Sequence, residues 1–350
     1  MERTSGSGAR EESPALRPVD RSWIVGLPKA EVHVHLEGCI SPDLLARAAR
    51  RGGAELPATG PFDGLGAMLR SLDASCALLT EPADIVELAL AYGRSTVANG
   101  VAYSDLIVNP AHWPAWTARL GDFVRLLDEG CGEAEAEGAG RIGLCPSIGR
   151  WMAAGEAGEL VDTLIELRHP RVVGVSLDGD EGAPGAGSDR FAPALERARR
   201  NGLGVAVHAG ESSGPDGVRH ALDILRADRI DHGIRSIDDP VLVADLADRG
   251  TPLGICPSSN VQLHLVPTLS QHPVEQLRRL GVQLSLNTDD PVLFGTTLVD
   301  EYLRTAAAFG WDRTAVAELA RTSITASFAS SDRKIELLAA LDRYTKADQP

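Results

Sequence analysis

The sequence predicts an α/β chain folded as a (β/α)8 TIM barrel, with extra helices after the first strand and at the C-terminus. Three observations carry that reading. Eight short apolar runs of strand type alternate with Ala/Leu/Arg/Glu-rich stretches of helix type, the pattern of a parallel sheet. At 350 residues the chain is long enough for a barrel of about 250 residues with insertions. Polar residues able to do chemistry collect at the C-terminal ends of the runs, the face on which barrels build their sites. Periodicity alone leaves closure open; the clustering decides for the barrel.

The strand-like runs are 31–37 (EVHVHLE), 101–108 (VAYSDLIV), 141–149 (RIGLCPSIG) and 172–180 (VVGVSLDGD), then 204–211 (GVAVHAGE), 229–233 (RIDHG), 252–260 (PLGICPSSN) and 283–290 (QLSLNTDD). Residues 191–200, 240–249 and 274–280 read as helices, with Gly202, Gly250 and Gly281 after them as C-cap signals. The long gap between the first two runs must hold extra helices, some placed to cover the mouth of a site. A last helical region, 299–344, closes the outer layer. Residues 1–22 are polar, with Gly, Ser and Pro, and read as a disordered tail. No linker or low-complexity stretch interrupts 23–350, which is expected to form a single domain.

The formal net charge of −15 argues against a nucleic-acid or anionic-membrane partner, since phosphates would be repelled. A small substrate at a bound cation stays compatible, because the ion dominates its local field. Apolar residues make up 43% of the chain but aromatics only 4%, so aliphatic side chains and Ala must fill the core. The five cysteines are odd in number and form no C-x-x-C pair, which reads as a reduced, cytoplasmic protein. No run reaches the roughly 18–20 apolar residues of a membrane span, and the N-terminus lacks the apolar stretch of a secretory signal. Nothing in the sequence signals an oligomeric state.

His33 and His35 lie two apart on the first run, so the pleat sends both side chains the same way. Two inward imidazoles can share a metal ion, although an H-x-H alone fits a structural pair equally well. His208-Ala209-Gly210-Glu211 ends the fifth run with a histidine facing inward and a glutamate free to handle a proton. A packed histidine with a solvated glutamate is the bland alternative. His232 ends the sixth run; singly, it would be a hydrogen-bonded core residue. Asp289 and Asp290 stand side by side before Pro291. Two adjacent carboxylates are costly to bury unless a cation holds one of them, although an Asp before a proline can also cap a helix. Three imidazoles and one carboxylate suit zinc or a similar ion. Such an ion is a Lewis acid that lowers the pKa of bound water to about 7, which makes hydrolysis the natural reaction class. A Gly-rich phosphate loop and a G-x-S-x-G elbow are both missing. His112, His169, His220, His264 and His272 are assigned surface or packing roles, with His112 and His264 as candidates for the mouth.

Taken in order, LPKAEVHVHLEG (27–38), GDE (179–181), HAGE (208–211), RIDHG (229–233), CPSSN (256–260) and SLNTDDP (285–291) resemble the adenosine/adenine deaminase family of the metal-dependent hydrolase superfamily. The resemblance runs from about residue 27 to about residue 335. It implies one Zn²⁺ per chain, held by His33, His35, His208 and Asp289, and hydrolytic deamination of a 6-aminopurine such as adenosine or adenine by a zinc-bound hydroxide. Glu211 would donate a proton to purine N1, and His232 would orient the attacking water and take its proton. Asp290 would contact N7, and the backbone N–H of Gly179 would approach N3. Glu181 receives no role.

Family members acting on adenosine commonly carry Asp after HVHL, where it resembles a ribose contact; here it is Glu37, whose extra methylene would intrude on the sugar space. Adenine deaminases and aminodeoxyfutalosine deaminases often carry Glu there, and 287–302 (NTDDPVLFGTTLVDEY) also resembles those branches. GDE instead resembles the adenosine-acting branch, and Asp105 stands where many relatives have Glu. The alternatives are deamination of another adenine-bearing compound such as aminodeoxyfutalosine, a different metal-dependent hydrolase on the same fold, and a non-catalytic binding relative.

Overall fold

The computed structural model describes residues 19–183 and 187–347. Eight parallel strands follow one another around a barrel in chain order. They are β1 (Lys29–His35), β2 (Val101–Val108), β3 (Arg141–Gly149), β4 (Gly174–Asp178), β5 (Gly204–Ala209), β6 (Arg229–His232), β7 (Leu253–Ile255) and β8 (Leu284–Leu286). The ring closes where His35 N–H donates to Asp289 O at 2.8 Å and Asp289 N–H donates to His33 O at 3.1 Å. Asn287 Oδ1 adds to this seam by accepting from the backbone of Val32 and His33 at 2.8 and 3.2 Å.

Several runs end as strands earlier than predicted, and the physical reasons are local. Glu37 opens a 3-10 turn just past β1. Gly179, at φ +94°, turns the chain away from β4 in a backbone conformation that a side chain would strain. Pro257 starts a short helix directly after β7, because its fixed φ suits a first helical position. Glu37, Gly179, Glu211, Asp289 and Asp290 therefore sit beyond the ends of their strands, in the loops above the barrel, whereas His33, His35, His208 and His232 lie within theirs.

The helices are α1 (Arg21–Gly26), α2 (Pro42–Gly52), α3 (Leu65–Cys76), α4 (Pro82–Ala98), α5 (Leu120–Ala136), α6 (Ala154–Leu167) and α7 (Ala192–Arg200). They continue with α8 (Pro215–Asp223), α9 (Pro240–Arg249), α10 (Pro257–Gln262), α11 (Val274–Arg279), α12 (Leu298–Phe309), α13 (Arg313–Ala326) and α14 (Ser331–Ala347). α2, α3 and α4 fill the gap between β1 and β2, and α12 to α14 form the predicted C-terminal layer. α2 shows how such helices are specified: Ser41 Oγ accepts from Leu44 N–H, Pro42 opens the first turn, and Leu44, Leu45, Ala48 and Ala49 form the buried stripe. α1 begins at Arg21, inside the segment read as a tail; residues 1–18 of that segment lie outside the described residues. No helix among the described residues is long and apolar enough to cross a membrane.

The core is aliphatic, as composition demands, with Val32, Val34, Val205, Val207, Ile230 and Leu286 wholly buried. Inside the barrel, below the site, Arg229 is also wholly buried. Its guanidinium donates to Asp105 Oδ2 and to Asp231 Oδ1, each at 2.9 Å. Asp105 also accepts the Phe328 N–H at 2.9 Å. The carboxylate that departs from the resembled pattern thus balances a buried cation and ties β2 to the loop between α13 and α14. A second, smaller apolar cluster joins Met68 and Leu72 of α3 to Leu263 and Phe294 above the barrel mouth.

Candidate metal centre and active site

His33 and His35 point to the barrel axis from β1, His208 from β5 and His232 from the end of β6. Asp289 follows β8. His35 Nε2 lies 3.1 Å from His208 Nε2. Asp289 Oδ1 lies 3.2 Å from His33 Nε2 and 3.4 Å from His35 Nε2. Four donors arranged tetrahedrally about 2.1 Å from a zinc ion are roughly 3.4 Å from one another, so these spacings fit atoms that share an ion. His33, His208, His232 and Asp289 also each offer a ligand atom, all within 4.8 Å of one another. Five of the predicted side chains therefore converge on one point.

The electrostatics of the point call for a cation. Burial alone would push the His33 imidazole down, yet the Asp231 and Asp289 carboxylates hold it up at about 9. His208 is driven the other way by burial and by the other imidazoles. Burial raises the Asp289 carboxyl, but the His33 charge and hydrogen bond outweigh it and hold the group well below the usual range. His33 Nε2 is buried with Asp289 Oδ1 at 3.2 Å as its near partner, and His208 Nε2 faces His35 Nε2 at 3.1 Å. The positive charge that the carboxylates draw onto His33 is the charge a metal ion would supply in its place. The residues present thus fit a divalent ion.

Two of these residues are held in backbone conformations that side chains rarely adopt, His232 at φ +68° and Asp289 at φ +63°. The turn at Asp289 lets one carboxylate face the barrel axis while the next, Asp290, faces the cavity. Asp289 Oδ2 accepts from Ser259 Oγ at 2.6 Å. Asp290 Oδ1 is buried without a partner. Burial, then the charges of Asp289, Glu37 and Glu211, raise the Asp290 carboxyl far above its ordinary value. Gly38 is required here, since a methyl group at that position would lie 2.2 Å from Asp290 Oδ1.

Glu211 is 3.5 Å from His232 Nε2 through Oε1. Burial, then the charges of Asp289 and Glu181, raise its carboxyl far above the usual range. Glu181 supports the loop from beneath. It accepts from Gly210 N–H and Glu211 N–H at 2.9 Å each, from Ser212 N–H at 3.2 Å, and from Ser213 Oγ. The glutamate without a sequence-derived role is therefore the anchor of the HAGE loop.

Above this floor lies a cavity of about 460 Å³, partly open to solvent. His35, Glu37, Asp178, Gly179, Glu211 and Asp290 line its polar side, and Leu65, Met68, Leu69 and Leu72 of α3 form an apolar wall. Glu37 is drawn back from the centre. Its Oε1 accepts from Trp113 Nε1 at 2.7 Å and Asn109 N–H at 2.8 Å, while Oε2 is buried with no partner.

His112 lines the cavity, as anticipated, and its Nδ1 lies 2.6 Å from Asp73 Oδ1. His264 is exposed and is not among the cavity residues. His272, read as a surface or packing residue, is buried in a polar chain that reaches His232. Glu181, Asp178, Asp231, Ser259, Asn260 and His272 are the residues that sequence reasoning passed over. Ser259 and Asn260 stood inside the motif CPSSN, but only their distance from Asp289 and His232 reveals what they do.

A buried three-histidine, one-carboxylate point at the C-terminal face of a (β/α)8 barrel, with a raised carboxyl beside it, defines a metal-dependent hydrolase. The model of the adenosine deaminase family matches residues 28–344, and the chain belongs to that family. It is 34% identical over 337 residues to an adenine deaminase of Caulobacter vibrioides, covering 93% of this chain and 96% of that one. It is also 34% identical over 338 residues to an aminodeoxyfutalosine deaminase of Streptomyces coelicolor, covering 93% and 86%. Among solved structures, a zinc-bound amidohydrolase of Burkholderia ambifaria superposes with a TM-score of 0.85 at 26% identity, covering 95% of this chain and 96% of that one.

Proposed function

We propose that this protein is a zinc-dependent aminohydrolase that replaces the 6-amino group of a purine, adenine or adenosine, with oxygen and releases ammonia. The observation that carries the reading is the meeting of His33, His35, His208 and Asp289 at the floor of a cavity that Glu211 and Asp290 also line. The donor set is of zinc type, and the structural neighbour from Burkholderia ambifaria binds Zn. A histidine that ligates through one nitrogen usually gives its other N–H to an acceptor. His33 Nδ1 meets Gly254 O at 3.0 Å. His35 Nδ1 faces Asp178 Oδ2 and His208 Nδ1 faces Asp231 Oδ2, each at 3.9 Å. Those contacts favour His33, His35 and His208 as the three imidazole ligands.

When bound, zinc supplies the Lewis acidity that makes water a nucleophile near neutral pH. The chain does the rest. Attack at C6 makes a flat ring carbon tetrahedral, and protonation of N1 spares the ring from carrying negative charge. Glu211, kept protonated by its dry, anionic surroundings, supplies that proton. Asp290 Oδ1, buried and unpartnered, meets N7, and the backbone N–H of Gly179 approaches N3. The apolar wall of α3 covers the ring.

A second reading shares the chemistry and differs in what N9 carries. The Streptomyces coelicolor relative, an aminodeoxyfutalosine deaminase, is as similar in identity as the Caulobacter vibrioides enzyme. A panel of adenine, adenosine and aminodeoxyfutalosine, assayed by ammonia release and by loss of the adenine absorbance, separates the two readings. Turnover of adenine or adenosine supports the first. Turnover of aminodeoxyfutalosine alone supports the second, and an inert panel overturns both. Elemental analysis should find about one zinc per chain, lost in His208→Ala; full activity without metal would refute the metal assignment.

A further inference from the structure

A chain of hydrogen bonds leaves the site on the side away from the cavity. Val274 N–H, at the start of α11, donates to His272 Nδ1 at 3.1 Å. His272 Nε2 lies 3.1 Å from Asn260 Oδ1, and Asn260 Nδ2 lies 3.3 Å from His232 Nδ1. His272, Asn260 and His232 are 3%, 0% and 1% exposed, so no solvent competes for these groups.

The direction of the chain is set at its far end. A backbone N–H can only donate, so His272 Nδ1 is an acceptor. Burial pushes the His272 imidazole down to about 3, so the ring is neutral and carries its one proton on Nε2. That proton must go to the carbonyl oxygen of Asn260. The Asn260 amide is thereby oriented with its NH2 toward His232. His232 Nδ1 then receives a hydrogen bond, and an uncharged His232 ring holds its proton on Nε2. Turning the Asn260 amide over would set N–H against N–H at His272. His232 Nε2 faces the space between Glu211 Oε1 at 3.5 Å and Asp289 Oδ2 at 3.9 Å.

We infer that His272 and Asn260 form a one-way relay that fixes His232 as a hydrogen-bond donor through Nε2, neither a metal ligand nor a proton acceptor at that atom. The contrast with His33 is direct. Its outer nitrogen meets a backbone carbonyl, whereas the outer nitrogen of His232 meets an amide donor. His232 therefore orients the oxygen that attacks C6 by donating to it. Asn260 and His272 are positioning residues, because neither touches the cavity.

The inference rests on the proposed deamination only for its kinetic arm. In the full-length protein labelled with 15N-histidine and loaded with zinc, long-range 1H–15N spectra read the tautomer of each ring. Signals are assigned by their loss in single-histidine substitutions. His232 and His272 are both expected to show an unprotonated Nδ1 and a protonated Nε2. A protonated Nδ1 on His232, or a metal shift at its Nε2, overturns the relay. In the kinetic arm, His272→Phe should lower kcat roughly tenfold to a hundredfold, with KM and zinc content little changed. His272→Gln, which can still accept from Val274 and donate to Asn260, should recover most of the loss. An unchanged kcat and an unchanged His232 tautomer in His272→Phe also overturn the relay. Should His272→Phe fail to fold, the spectra of the unsubstituted protein decide alone. They decide likewise if no purine in the panel reacts, which would refute the deaminase reading and leave the relay to its own test.

Discussion

A carboxyl group that must give up a proton at neutral pH has to be kept from losing it beforehand. Glu211 is so kept by burial and by the charges of Asp289 and Glu181. The sign of the resulting pH dependence follows. In the proposed deamination its active form is the protonated one, so kcat should hold level from mildly acid to neutral pH and fall as alkali removes the proton. A kcat–pH profile checks this, and a rise through the alkaline range would contradict it. Glu37 makes a different kind of prediction. Its Oε1 is committed to Trp113 and Asn109, Oε2 is buried without a partner, and the residue lines the cavity. Aspartate, one methylene shorter, cannot hold both partners and still reach the wall. Glu37→Asp should open space beside the ring and move the ratio of kcat/KM for adenosine over adenine upward. An unchanged ratio would remove Glu37 from the specificity argument. The candidate ligands were legible in the sequence because H-x-H spacing, HAGE and the paired aspartates are local patterns. The supports were not: Glu181 lies about thirty positions from the N–H groups it anchors.

At the scale of elements, α3 is the helix of the long gap that covers the mouth, a role the sequence anticipated without saying which helix or which side chains would fill it. It presents Leu65, Met68, Leu69 and Leu72 to the cavity. Met68 and Leu72 also pack on Leu263 and Phe294 from the loops after β7 and β8. The apolar wall is therefore pinned by four buried side chains from three segments, and removing one loosens the wall rather than the barrel. Phe294→Ala should raise KM severalfold, consistent with the roughly 3–5 kcal/mol typical of such truncations being spent partly on local opening. Steady-state kinetics against zinc content check it. A loss confined to kcat, or a loss of zinc, would place Phe294 in the machinery instead. Strand ends were misread for a related reason. An apolar run continues past the last ladder bond whenever the loop above it is buried, and here the loops carry the carboxylates of the site while the strands carry its histidines.

For the molecule as a whole, the candidate ligands come from the first and fifth strands and from the turn after the eighth. The seam joining the first and last strands passes through Asp289 itself. An ion at this point would bind only the closed barrel, and ligand binding to the native state alone adds RT ln(1 + [L]/Kd) to stability. Zinc at a hundredfold excess over its Kd should stabilise the protein by about 2.7 kcal/mol relative to the chelated form. Thermal unfolding of the chelated and reloaded protein measures the difference, which should vanish in His208→Ala. Equal Tm values with and without zinc would show that the four side chains do not hold it.

The sequence by itself determined the layer pattern, the order of the strands, and which face carries the polar residues. Each of these is encoded in neighbours a few positions apart: the period of apolar residues, a proline or glycine at a turn, a histidine two places from another. Tertiary structure alone decided which histidines meet, that Asp105 balances Arg229, that Glu181 anchors the loop of Glu211, and that His272 reaches His232 through Asn260. Those relations join residues from distant parts of the chain, and only the closed barrel brings them within a hydrogen bond of one another.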